Sequence, residues 1–192
     1  MRGHRTLLAS TSMRLVARFA LGLARTNLGG RAVGGLARFV PFAVPRLVHI
    51  DRAMIVFRHP VAGAPHHLLA LPRRFVADAR VADESSRAFW DSFEQWLVRY
   101  APRSSTSLLC ITNLGRNQEV GLLHVHVMDT WPKWFDAAEA EEYSPSLLGV
   151  VEKAAGRFAG MDKRAFAASI VVPAQLSAPD GWRAVTRLAQ VE

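Results

Sequence analysis

The sequence is short of cysteine, and its first fifty residues lack acids altogether. With Cys110 as the single cysteine, no internal disulfide can form, so a cross-linked secreted scaffold is excluded. This agrees with a reducing compartment. Residues 1–50 hold no Asp, Glu or Lys, yet they carry eight arginines, at positions 2, 5, 14, 18, 25, 31, 38 and 46. Residues 51–192 are balanced, with sixteen basic and sixteen acidic side chains. The formal net charge of +8 therefore describes an attached basic segment and says little about the rest. No uncharged stretch in that segment approaches the ~20 apolar residues that span a bilayer. Arginines interrupt every candidate apolar core of a secretory signal. There is no internal repeat and no low-complexity tract.

What is present divides into two parts. Residues 1–45 read as a basic amphipathic segment. Arg14, Arg18 and Arg25 fall within about 40° of one another at helical pitch and form one stripe beside Leu15, Phe19 and Leu23. Gly29–Gly30 and Gly34–Gly35 break this helix into short pieces. Three readings suit it: a helix on an anionic membrane surface, a helix packed on the domain or a second subunit, and a targeting peptide. The absence of lysine and the high apolar content suit lipid or protein contact better than nucleic acid, and no nucleic-acid partner is expected.

Residues 46–192 read as one folded domain. Half of the whole chain is apolar, enough for a sizeable core. Strands are expected at Ala53–Arg58 and His67–Leu71, separated by the Pro/Gly turn HPVAGAP. A helix is expected from Asp83 to Tyr100, because Phe89, Phe93, Trp96, Leu97 and Tyr100 recur on one face. Ser85 and Ser86 are its expected N-caps. A third strand is expected at Ser107–Asn113 and a fourth at Val120–Met128, paired antiparallel. A second helix is expected over Ser146–Phe158. AFAASIVVP and WRAVTRLAQ are weaker strand candidates.

The fourth strand carries the chemistry. Strand alternation places Val120, Leu122, His124, His126 and Met128 on one face. Two histidines on a mostly apolar face each need a partner or a ligand. They suit a metal site, a pair of satisfied structural histidines, or a nucleophile and its neighbour in phosphate chemistry. No acid or cysteine lies at a fitting spacing for metal, so neither a metal nor another cofactor is expected.

The run Asn113, Gly115, Gln118, Val120, His124, His126 resembles the signature of the histidine-triad (HIT) superfamily. Upstream, IVFRHPVAGAPHHLLALPRRF resembles that family's strand–loop–strand. The two matches lie in order, separated by one amphipathic helix, and cover residues 50–130. The resemblance implies an α+β, HIT-like fold: an antiparallel sheet of about five strands, a long helix packed on it, and a C-terminal helical extension. It implies that His124 attacks a nucleotide α-phosphate and forms a nucleotidyl-histidine, with His126 beside the phosphate. His67, Asn113 and Gln118 then fall at substrate-binding positions. The simpler alternatives are a strand histidine satisfied by backbone for His67, and ordinary turn residues for Asn113 and Gln118.

Two departures stand out. The first triad histidine is Leu122, so the triad is a pair. His59 stands where the family often has a ribose-binding acid, and an imidazole cannot accept two hydroxyl hydrogen bonds as a carboxylate does. The reading is a nucleotide hydrolase or nucleotidyl transferase. Its rivals are a non-catalytic nucleotide-binding protein, a metal-binding HxH protein, and a membrane-attached hydrolase like the CDP-diacylglycerol pyrophosphatases, which the AFWDSFEQ helix and the C-terminal part also resemble. The expected partners are a nucleotide or nucleotide conjugate, an anionic membrane surface for residues 1–45, and a second copy in a homodimer. The expected location is cytoplasmic, peripheral on the inner face of the membrane.

Overall fold

The computed structural model describes residues 47–59, 67–101, 108–118, 120–129, 140–174 and 181–189. The basic segment 1–45, with its membrane, packing and targeting readings, lies outside the described residues. Among the described residues, no helix is long and apolar enough to cross a membrane.

The described residues form one antiparallel sheet with two helices. In sequence order the elements are β1 (Leu47–Ile50), β2 (Met54–Arg58), β3 (Leu68–Pro72), α1 (Glu84–Tyr100), β4 (Leu109–Gly115), β5 (Val125–Met128), β6 (Ala140–Ser144), α2 (Leu147–Gly156), β7 (Ala167–Pro173) and β8 (Trp182–Ala189). The strand order across the sheet is β1-β2-β3-β5-β4-β7-β8-β6. Every neighbouring pair is antiparallel. The α+β reading holds, but the sheet has eight strands rather than about five.

The C-terminal part also differs from a helical extension. It supplies α2 and three strands, and β7 lies inside the sheet between β4 and β8. The run AASIVVP is buried along nearly its whole length. A strand covered on both faces loses its period-two pattern and reads as continuous apolar sequence.

Both helices pack on one face of the sheet. Phe89, Trp90, Phe93, Trp96 and Leu97 of α1 join Val150, Val151 and Ala154 of α2 over Val56, Ala70, Val125, Val127, Cys110 and Ile170. The α1 N-cap is Asp83, not Ser85 or Ser86; its carboxylate accepts from Ser86 N at 2.8 Å. An aspartate at this position reaches the amide three residues on and adds negative charge at the positive helix end. Ser146, the first residue of the expected second helix, instead caps α2, its hydroxyl accepting from Gly149 N at 3.1 Å.

The face opposite the main core carries two smaller apolar clusters. Ile55, Leu71 and Leu122 make one, toward β1 and β2. Leu109, Ile111, Val171 and Val185 make the other, on β4, β7 and β8. His126 lies on β5, between β3 and β4 in the sheet, with His59 just after β2 and His67 just before β3.

Candidate functional site

Three neighbouring strands each deliver one histidine to the same region. His59 follows β2 and His67 precedes β3. They face one another across the ladder, with His59 N donating to His67 O at 2.8 Å. Their rings stack with centroids 4.4 Å apart. His126 lies on β5, paired in register with Leu69 on one side and Ile111 on the other. Its ring centroid is 5.1 Å from that of His67 and 5.9 Å from that of His59. His67 Nε2 and His126 Nδ1 are hydrogen-bonded at 2.8 Å. One of those nitrogens holds the proton and the other accepts it.

Such crowding disfavours charge. Burial pushes the His67 ring down to about 4, and His59 pushes in the same direction. Burial pushes His126 further, to about 3, with His124, His67 and His59 adding to it. Both rings are therefore neutral near pH 7, and each presents one N–H and one lone pair.

His124 sits deeper, at 4% exposure. Its ring lies edge-on to His126 with centroids 5.0 Å apart. The β5 ladder begins only at Val125, later than the expected start at Val120. The inward–outward alternation nevertheless extends back through the preceding residues: Leu123, Val125 and Val127 enter the main core, whereas Leu122 joins the cluster on the opposite face. Leu123 N donates to Val76 O at 2.7 Å, which ties this stretch to the loop after β3.

The His124 tautomer follows from its partner. Nδ1 lies 2.9 Å from the Leu122 carbonyl oxygen. A carbonyl only accepts, so Nδ1 carries the hydrogen. In the neutral ring Nε2 then holds the lone pair. Thr112 fixes the backbone at the same residue, its hydroxyl donating to the His124 carbonyl at 3.0 Å. Sequence reasoning missed Thr112. Its place in β4, between Ile111 and Asn113, was the available signal.

The remaining expected site residues are less concentrated. Asn113 is two residues beyond Ile111 along the β4–β5 register, level with His124. Its side-chain oxygen accepts from Ser169 Oγ of β7 at 2.7 Å. Gln118 donates through Nε2 to the Ala77 carbonyl at 2.6 Å, tying the turn after β4 to the loop after β3. In this structure Gln118 therefore acts as a brace between loops. Leu122, where the sequence resemblance expects a triad histidine, is fully buried against Ile55 and Leu71. Cys110 is buried, which pushes its thiol up and leaves it inert.

No protein-family model matches the sequence. No curated protein matches it either. Among solved structures, a HIT family hydrolase from Clostridium thermocellum is 21% identical; the match covers 51% of this chain and 90% of that one, at a TM-score of 0.42. A Hit-like protein from Bartonella henselae is 18% identical over 68% of this chain and 93% of that one, at a TM-score of 0.39. Yeast Ap4A phosphorylase is 12% identical over 78% of this chain and 65% of that one, at a TM-score of 0.46. These are likenesses of fold, and no residue's role is taken from them. In fold the chain is similar to histidine-triad proteins.

Proposed function

We propose that the chain processes nucleotides or nucleotide conjugates at a phosphate, with His124 Nε2 as the nucleophile. The observation that carries this reading is the hydrogen bond from His124 Nδ1 to the Leu122 carbonyl. It commits one nitrogen to a backbone acceptor and puts the reactive lone pair on the other. The nucleotide as substrate class comes from the resemblance of the Asn113–His126 run to the histidine-triad signature.

The chemistry is two displacements. Nε2 donates its lone pair to phosphorus, an N–P bond forms, and the bond to the leaving group breaks, P–O in an anhydride and P–N in a phosphoramidate. The leaving group departs with the bonding electrons and takes a proton from solvent. The phosphorylated ring carries positive charge, and the Leu122 carbonyl dipole stabilises it through the retained Nδ1–H. Water then attacks phosphorus and releases a proton to solvent, the N–P bond breaks with its electrons returning to Nε2, and His124 returns neutral. Another hydroxyl acceptor in place of water makes the same sequence a transfer. Neutral His126 supplies an N–H beside the phosphate without placing a second positive charge next to the phosphorylated ring.

Turnover of a panel of nucleotide phosphoramidates and anhydrides tests the roles. His124→Ala should abolish hydrolysis, whereas His126→Ala should lower it by the 10²–10³-fold typical of one lost stabilising donor, about 3–4 kcal/mol. Equal residual activity in both variants contradicts the assignment.

A further inference from the structure

We propose that His59, His67 and His126 form a binding site for a divalent transition-metal cation of the zinc class. One ring nitrogen of each residue lies within 4.8 Å of the others. Zinc–nitrogen bonds of about 2.0–2.1 Å in a tetrahedral site put ligand nitrogens about 3.3 Å apart. The His67–His126 pair, at 2.8 Å, has to open slightly. The widest pair has to close by about 1.5 Å, a shift that modest ring rotations supply.

Three adjacent strands frame the site: His59 directly follows β2, His67 directly precedes β3, and His126 lies on β5. The His59–His67 backbone hydrogen bond fixes two of them directly opposite one another. All three side chains are only partly buried, so an ion can enter from solvent. Metal binding replaces the proton shared by His67 Nε2 and His126 Nδ1, which moves to the other nitrogen of its ring. Both facing lone pairs then point at the ion.

The donor set selects the metal. Three imidazole nitrogens suit zinc and its neighbours and are poor ligands for magnesium or calcium, which take oxygen. Three protein ligands leave a fourth position open for water or an anionic oxygen, as in catalytic rather than structural zinc sites. Because the ligands are neutral, the ion keeps its full double positive charge at that position. That charge would stand one ring away from His124, through the edge-on His126 contact. The sequence hides this site because its donors lie far apart along the chain and only the sheet brings them together.

Zinc alone tests the site, independently of the role assigned to His124. Full-length protein freed of metal by chelation is titrated with zinc in a calorimeter, and with cobalt in an absorption spectrometer. One zinc per chain and the intense visible bands of tetrahedral cobalt are expected. His59→Ala and His67→Ala should each weaken binding at least about tenfold, since loss of even an outer-shell partner costs 10–100-fold. His49→Ala should leave binding unchanged. His59 lies beyond the end of β2, so His59→Ala keeps the core, and a circular-dichroism melt confirms the fold. Absence of saturable zinc binding overturns the proposal. So does zinc binding that His59→Ala leaves intact, because the ion is then held by other histidines. A covalent adduct on His124 that forms in chelator, or fails to form while zinc still binds, separates the two readings.

Discussion

Replacing Leu122 by histidine restores the triad on paper but puts a polar ring into an apolar cluster. Leu122 is fully buried among Ile55 and Leu71, with Leu47, Ile50, Phe57, Phe75 and Val120 packed around them. Leu122→His forfeits about 1.5–3 kcal/mol of apolar burial. It also buries ring nitrogens, and an unsatisfied polar group there costs about 1–3 kcal/mol. The total, about 2.5–6 kcal/mol, is a large part of the ~5–15 kcal/mol that holds a domain folded. At about 2–4 °C per kcal/mol for a chain of this size, the melting temperature should fall by roughly 10 °C. Urea titration is the assay: the midpoint should drop at constant slope, and turnover on phosphoramidates should not rise. Leu122→Met, close in volume, should cost less than about 1.5 kcal/mol. An unchanged midpoint together with faster turnover would refute the reasoning. The new imidazole would then have found a place in the His124 pocket, and the apolar cluster would not be what fixes position 122.

Two further predictions concern the loops that frame the site. Gly115 ends β4 with φ +63°, and a Cβ there would overlap the Phe166 carbonyl oxygen; Gly115→Ala should cost at least about 2 kcal/mol in a denaturant titration, since the left-handed backbone alone costs about 1–2 kcal/mol. Asp78, 2% exposed, pairs with Arg80 at 3.1 Å and Lys163 at 2.7 Å, while Arg80 also donates to the Phe158 and Met161 carbonyls beyond α2. Burial alone would raise the Asp78 carboxyl, but hydrogen bonds from Arg80 and Lys163 and the Lys163 charge outweigh it and hold it below its ordinary value. Its stabilisation is therefore complete above the unfolded value of about 3.9 and disappears as pH falls through the lower folded value. Asp78→Asn should be less stable by about 3–5 kcal/mol at pH 7, and its urea midpoint should fall less steeply between about pH 5 and 2 than that of the parent.

Much of the site is legible in the sequence because its carriers have strong periods. β2, β3 and α1 lie within a residue or two of their expected bounds, since alternation or a 3.6-residue repeat marks them. The histidine alternation likewise makes His124 and His126 neighbours, although the ladder itself takes in only His126. β1, with four residues, and β6, reading AEEYS, escape sequence reasoning. Both are edge strands of the described sheet, and runs of four or five residues are too short to show a pattern. β7 and β8 are weak candidates by pattern, and only the assembled sheet reveals that β7 supplies Ser169 to Asn113. The role of Gln118 is not legible, because its partner Ala77 lies forty-one residues away. The meeting of His59 with His67 and His126 is hidden for the same reason: residue types are visible, but their register across three strands is not.

The central claim is that His124 Nε2 is the nucleophile, and its covalent intermediate is the most direct test. Protein mixed with a nucleotide phosphoramidate is quenched within a turnover under alkaline conditions, digested, and read by mass spectrometry. A nucleotidyl adduct is expected on the peptide containing His124. The adduct should be stable in base, lost in acid, absent from His124→Ala and still formed by His126→Ala. An adduct on His126 or His67, or turnover with no adduct on His124 at any quench time, would contradict the claim.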